Sequence, residues 1–424
     1  PKNASSERDY KMTKNPTNFI ESEEHRDFLR DEALKQLNFF KSSLCPTGGF
    51  YSLDDDGSPI ENAKRELHAT TRMIHCFSLS SIAGWAEGAQ LVDHGFQYLM
   101  DRHRDPTNGG FFWSTQGASA LDNRKLAYGH VFVLLAAASA TAAGHPDASK
   151  LLDEIDHILD QYFWDEDRGL FKEEWSQDWH PISKYRGMNA NMHGLEALLS
   201  AYEATGRTKY LERAERIIDF FVGFIAPSEH WRIPEHYDES WQIDRAYEGN
   251  QMFRPWGTTP GHSFEFGRLL LQFNELNATP KINLLESAQK LVQTALCDAW
   301  DKTSGGVYYT LNFDGLPAIR NRYWWPVTEA IGVIAAFLKV QPNQDYLDWY
   351  RLLWDTAARH FIDHERGGWY PEVDSPGAAT PIQFVGKPDL YHSLQAALLP
   401  LTPSVANVYV DLDGILYDVS THGT

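Results

Sequence analysis

His262 and Glu265 stand three positions apart, where the run Arg254-Pro255-Trp256-Gly257-Thr258-Thr259-Pro260-Gly261 gives way to the apolar Arg268-Leu269-Leu270-Leu271. Prolines and glycines do not suit a helix interior, so a helix begins near Pro260 and carries both groups on one face of its start. Imidazole accepts or gives up a proton near neutral pH, and a carboxylate such as Glu265 can fix its tautomer. Read alone, the pair is equally a buried histidine satisfied by a glutamate. Similar groups recur along the chain. His193 precedes Glu196 at the same spacing, Glu329 follows Trp325 by one turn, and His392 ends Asp389-Leu390-Tyr391-His392. Arg72 interrupts the apolar Ala69-Thr70-Thr71-Arg72-Met73-Ile74, where a guanidinium is costly to bury without a partner, so it reads as a site-facing cation. The others have plain structural explanations: Glu196 can satisfy His193, Arg322 can pair with Glu329, and His392 can be a polar residue at a helix start.

Other chemistry is not encoded. The spacings His193-x-x-Glu196 and His262-x-x-Glu265 resemble metal-ligand pairs, but a di-metal site needs further carboxylates facing them, and no metal is expected. No glycine-rich phosphate loop opens a helix, so no nucleotide cofactor is indicated, and no serine, cysteine or lysine stands in a nucleophile motif. The net charge of −20 repels phosphate backbones and excludes a nucleic-acid partner. Three cysteines, Cys45, Cys76 and Cys297, lack metal-ligand spacing and leave an odd count, which points to a reducing, cytoplasmic setting. The longest apolar run, 131–143, is too short to span a bilayer, so no membrane association is expected.

The elements that must position these groups follow a repeat. A glycine turn running into aromatic or β-prone residues recurs at Gly48-Gly49-Phe50-Tyr51, Gly109-Gly110-Phe111-Phe112, Arg168-Gly169-Leu170-Phe171, Gly305-Gly306-Val307-Tyr308 and Gly367-Gly368-Trp369-Tyr370, with a degenerate copy at His230-Trp231-Arg232-Ile233. In each unit one helix leads into the turn, and a more apolar helix follows it near 62–83, 123–143, 187–205, 260–276, 324–339 and 388–399. Six such hairpins that bury a shared core predict an all-α (α/α)₆ barrel, with short β segments in the turns at one end. The spacing within units is telling. Arg72 and Glu329 lie 23 positions after the second glycine of their turns, while His193 and His392 lie 24 after Gly169 and Gly368. Tyr128 and His130 lie at 18 and 20, and His262 at 31, because its unit contains an extra loop, 238–252. Equal offsets mean equal height in a closed ring, so these side chains converge on one site, with Asn189, Glu265 and Trp325 one turn away from members of the set. Residues 1–20 read as an N-terminal arm, 21–403 as a single barrel domain, and 404–424 as a tail without an assigned role.

The ordered motifs Gly187-Met188-Asn189-Ala190-Asn191-Met192-His193, Thr259-Pro260-Gly261-His262-x-x-Glu265-x-Gly267-Arg268, Trp325-Pro326-Val327-x-Glu329-Ala330 and Asp389-x-Tyr391-His392 resemble the N-acylglucosamine 2-epimerase superfamily, and in particular its aldose–ketose isomerase branch. The likeness runs over about 25–403. It implies an (α/α)₆ barrel without metal or redox cofactor, acting on an unphosphorylated sugar such as mannose. It also implies His262 and His392 as the acid/base pair, with Arg72, Tyr128, Asn189, His193, Glu265, Trp325 and Glu329 lining the sugar site. Some isomerases of sulfonated sugars carry a tryptophan one turn before the arginine. His68 stands there in this chain, which weighs against that substrate. A sugar 2-epimerase is the main alternative, followed by a glycoside hydrolase and a non-catalytic carbohydrate-binding toroid. A homodimer remains open beside a monomer.

Overall fold

The computed structural model describes residues 19–373 and 383–417. Of the expected N-terminal arm, only Phe19 and Ile20 belong to this set, and residues 418–424 of the tail lie outside it. The helices are α1 (Glu23–Phe40), α2 (Leu67–Ile82), α3 (Gly88–Tyr98), α4 (Ala127–Ala142), α5 (Ala148–Ile158), α6 (Met188–Thr205), α7 (Lys209–Ile218), the single turn α8 (Ala226–Ser228), α9 (Pro260–Leu276), α10 (Leu284–Ala299), α11 (Trp324–Val340), α12 (Gln344–His360), α13 (Tyr391–Leu398) and the short α14 (Val408–Asp411).

Two kinds of helix sort themselves by their faces. α7 buries only Tyr210, Ala214, Ile217 and Ile218, a single stripe at i, i+4, i+7 and i+8, which suits an outer helix with one face in water. α4 buries every residue from Gly129 to Ala140, as a helix covered on all sides must. The fully covered set α2, α4, α6, α9, α11 and α13 forms an inner ring in which each member packs on the next, and α13 returns to α2. The outer helices α1, α3, α5, α7, α10 and α12 each back one inner helix, with α1 against α13. The ring is therefore closed, an (α/α)₆ barrel. Among the described residues no helix is long and apolar enough to cross a membrane.

The repeated turns have the predicted form, including the degenerate one. Gly109 and Gly110 have φ of 72° and 74°, and His230 and Trp231 adopt 54° and 65° at the matching place without glycine. Non-glycine residues rarely occupy that region, so the hairpin, and not the local residue type, dictates the backbone there. Two expectations are corrected. The inner helices of the first, second and last units start at 67, 127 and 391, three to five residues late, because residues such as Arg65–Glu66 and Lys125–Leu126 are used as short strands. Strands also exceed the turns: Pro317–Tyr323 runs between Tyr308–Leu311 and Glu372–Val373 in a three-stranded antiparallel sheet.

Candidate active site

All nine residues singled out from the sequence lie within the first six positions of an inner helix. Arg72 is the sixth residue of α2 and Tyr128 the second of α4. Asn189 and His193 are the second and sixth of α6, His262 and Glu265 the third and sixth of α9, Trp325 and Glu329 the second and sixth of α11, and His392 the second of α13. The turn sets where each helix starts, so equal offsets from the turn become equal depth below the mouth. Eight of the nine line one cavity of about 320 Å³, and Glu329 stands behind its wall.

The α9 start is shaped by its own sequence. Pro260 occupies the first helical position, where its missing N–H costs nothing. A Cβ on Gly261 would meet the Trp325 ring at 2.2 Å, so glycine is what lets that indole close over the helix end. His262 and His392 both lie against this indole, with ring centroids 5.2 and 5.6 Å from it.

Each of these histidines has a carboxylate on Nδ1. Glu329 Oε1 lies 2.7 Å from Nδ1 of His392, and Glu235 Oε1 lies 2.8 Å from Nδ1 of His262. This arrangement puts the proton on Nδ1 and leaves Nε2 as the basic nitrogen. Two expectations change here. Glu265 was expected to orient His262, but Glu235 does so. Glu329 was expected on the sugar-facing wall and instead braces His392, its second oxygen 3.8 Å from Arg268 Nε. Burial lowers the His392 pKa, partly offset by Glu329.

Arg72 donates to the Tyr128 hydroxyl at 3.0 Å, lies 3.6 Å from Asp389, and rests over the rings of Phe132 and Tyr391 at 4.6 and 4.4 Å. Burial pushes the Tyr128 hydroxyl up to about 12, so it stays protonated beside the guanidinium. His193 holds Glu196 at 3.2 Å through Nδ1, with Nε2 4.0 Å from Glu265, and burial lowers it to about 4. The Glu196 contact is the pairing its i+3 spacing allowed. Arg268 reaches the other Glu196 oxygen at 3.3 Å, and Tyr391 donates its hydroxyl to Glu196. Glu265 is 2% exposed, and its Oε2 has no partner among the described residues. Burial, reinforced by the nearby Glu329 and Glu196 charges, raises its pKa well above the ordinary value, so it can act as a hydrogen-bond donor.

Other residues depart from the sequence reading. His130 shares the offset pattern but does not line the cavity: its Nε2 accepts the Phe111 N–H at 3.0 Å and its Nδ1 donates to the Leu126 carbonyl at 2.8 Å, bracing a turn. Arg322, a possible partner for Glu329, lies 3.9 Å from Asp301 instead. His68 lines the cavity and stacks on Trp113, with Phe253, just after the extra loop, edge-on to it. Sequence reasoning missed Glu235, Asp389 and Arg268. Arg268 carried the same signal as Arg72, a lone cation in an apolar helix, whereas Glu235 lies in an irregular segment with no period to mark it. As for metal donors, Glu265, Glu329 and His392 bring ligand atoms within 4.8 Å of one another. Glu329 in that group is already engaged with His392 and Arg268, and the set reads as a proton-handling cluster.

Comparison with known proteins shows the family and the fold. The sequence model described as N-acylglucosamine 2-epimerase (GlcNAc 2-epimerase) matches residues 48–396. A D-mannose isomerase of Thermobifida fusca is 40% identical over 392 residues, 90% of this chain and 96% of that protein. A cellobiose 2-epimerase of Dictyoglomus turgidum is 25% identical over 354 residues, 79% of this chain and 86% of that protein. A crystal structure of a D-mannose isomerase superposes with a TM-score of 0.83 at 34% identity, covering 88% of this chain and 97% of that one.

Proposed function

The chain belongs to the N-acylglucosamine 2-epimerase family, and we propose that it interconverts D-mannose and D-fructose by proton transfer between its two carboxylate-braced histidines. That the protein is an aldose–ketose sugar isomerase follows from its likeness to D-mannose isomerases over most of its length. The observation that carries the mechanism is the pair Glu235–His262 and Glu329–His392 on one cavity. Moving a carbonyl from C1 to C2 requires a base to take the C2 proton and an acid to protonate C1, while the O2 hydroxyl proton is given up and O1 is protonated. An imidazole whose Nδ1–H is fixed on a carboxylate presents Nε2 for either step. Negative charge gathers on O1 and O2 of the enediolate between the steps. Arg72 and the protonated Tyr128 supply donors there, and the starts of six inner helices ring the cavity with the positive ends of their dipoles. Asn189, His193 and Glu265 hold hydroxyls, and Trp325 covers an apolar sugar face.

A glycosidase would need two free carboxylates across the bond, and Glu329 is occupied by His392 and Arg268. The unpaired state of Cys45, Cys76 and Cys297 supports a reducing, cytoplasmic setting. The test is mannose in D₂O. We expect fructose carrying deuterium at C1, with little glucose formed early. Glucose appearing before fructose, or turnover of N-acetylated hexosamines alone, would replace this reading with 2-epimerisation.

A further inference from the structure

Below the catalytic cavity the ring contains a second, much smaller chamber of about 20 Å³. His75 of α2, Glu196 and Ser200 of α6, Arg268 and Gln272 of α9, and Tyr409 of the tail contribute to its walls, and none of them lines the catalytic cavity. His75 follows Arg72 by three positions, so it stands on the same face of α2, one turn deeper in the ring. It is 4% exposed, and neither of its ring nitrogens has a hydrogen-bond partner among the described residues. The other buried histidines of the inner helices that the site uses, His193, His262 and His392, each have a carboxylate on Nδ1. A buried donor and acceptor left unmade cost free energy that a small ligand would recover.

The chamber's size and charge select that ligand. Its volume exceeds the roughly 10–15 Å³ that one water needs and is far too small for a sugar or an oxyanion. Burial lowers the His75 pKa to about 4 against the pull of Glu196, with Arg268 adding to the fall, so the ring is neutral at pH 7 and presents one N–H and one lone pair. A metal or ammonium ion would face the Arg268 guanidinium and could not accept the imidazole N–H. A water can both accept and donate. Glu196 offers it a place to donate: its Oε1 accepts from Arg268 at 3.3 Å and has a further lone pair, while Oε2 takes His193 and Tyr391.

We propose that the chamber binds an ordered water that joins His75 to Glu196, and that His75 is thereby a positioning residue for His193 in the catalytic cavity above. The positioning half rests on the reading of His193 as a ligand to a sugar hydroxyl, and the water half does not. A crystal structure of the whole chain with ordered solvent resolved tests the water. We expect one within about 2.7–3.2 Å of a His75 ring nitrogen and of a Glu196 oxygen. A chamber without water, or a water that meets only one of the two residues, overturns the proposal, and this result stands even if mannose is not turned over. Kinetics test the positioning. His75→Leu removes both ring nitrogens and should lower kcat/KM for mannose by roughly two- to tenfold, the scale of one hydrogen bond. His75→Gln keeps a donor and an acceptor at a similar volume and should restore it. Equal losses in both variants would reduce His75 to a packing role, and full activity in both would show that His193 needs no support from below. Either result overturns the positioning half.

Discussion

His392 is held from both directions: burial disfavours its charged form, and Glu329 at 2.7 Å favours it, with burial prevailing. The imidazole is therefore neutral at pH 7, and the acid limb it gives to kcat/KM lies below pH 6.5. The sign of the carboxylate's effect can be tested. Glu329⁻ raises the His392 pKa, so Glu329→Gln should lower it further and move that acid limb to lower pH while kcat falls. A limb that stays in place or moves up would mean Glu329 does not act through His392. His392→Ala and His262→Ala should each reduce turnover by roughly 10²–10⁴-fold, the usual contribution of a general acid or base. The residues that do this chemistry were legible because a polar group in an apolar inner helix needs a reason. Which carboxylate serves which histidine was not. Sequence spacing pairs His262 with Glu265 on its own helix, but the partner is Glu235, 27 positions upstream in irregular backbone, and only the folded barrel brings the two together.

The turns that set each helix start are built as repeated devices. Asp105 caps the N–H groups of Thr107 and Asn108 and holds Lys125 at 3.0 Å, two residues before α4. Asp363 caps Glu365 and Arg366 and holds Lys387 at 2.6 Å, four residues before α13. Both ion pairs are almost fully buried. Each fastens an outer-to-inner turn to the segment that leads into a site helix, a short strand at Lys125 and a single bridge residue at Lys387. Burial alone would raise the Asp363 pKa, but Lys387 and the two N–H donors bring it down from 3.8 to about 2. A depressed folded-state pKa contributes stability above the unfolded value that is lost as pH falls through the folded one, so this device should fail between about pH 4 and 2. Lys387→Met leaves a buried carboxylate unpaired and should cost about 3–5 kcal/mol at pH 7, with a smaller loss near pH 2. Thermal melts across that range check it, and an equal penalty at both pH values would refute it. The sequence showed that the turns repeat, because glycine pairs and aromatics recur at near-constant intervals. The lysine clamps were hidden, since Lys125 and Lys387 look like ordinary surface cations until the fold buries them. The third strand of the three-stranded sheet was hidden too, because Arg322 pairs with Val373 and Tyr323 with Glu372, far apart in the chain.

At the scale of the whole molecule, the ring has one short member. α13 has 8 residues where the other inner helices have 16 to 18, so below the site the sixth inner position would be open. The tail fills it. Lys339 of α11 donates to the carbonyls of Leu399 and Ser404, Glu275 of α9 accepts the N–H groups of Val405 and Ala406, and Glu203 of α6 accepts that of Val408. The chain then reaches α2, where the N–H groups of Gly414 and Leu416 meet the carbonyls of Ile82 and Ala83. Leu412 and Leu416 are buried, and Tyr409 borders a small cavity shared with Glu196 and Arg268, the groups that support His193 and Tyr391 from below. This role could not be read from the tail's own sequence, because its contacts are backbone N–H groups captured by distant glutamates. Removing residues 404–424 would take away the burial of Val405, Leu412 and Leu416, worth about 1.5–3 kcal/mol each when full, uncover the core surface they pack on, and leave Lys339, Glu203 and Glu275 without their tail partners. The shortened chain should therefore melt several degrees lower, and its kcat should fall because the floor under Glu196 and Arg268 is lost. An unchanged melting temperature with full activity would show that the inner ring closes without the tail.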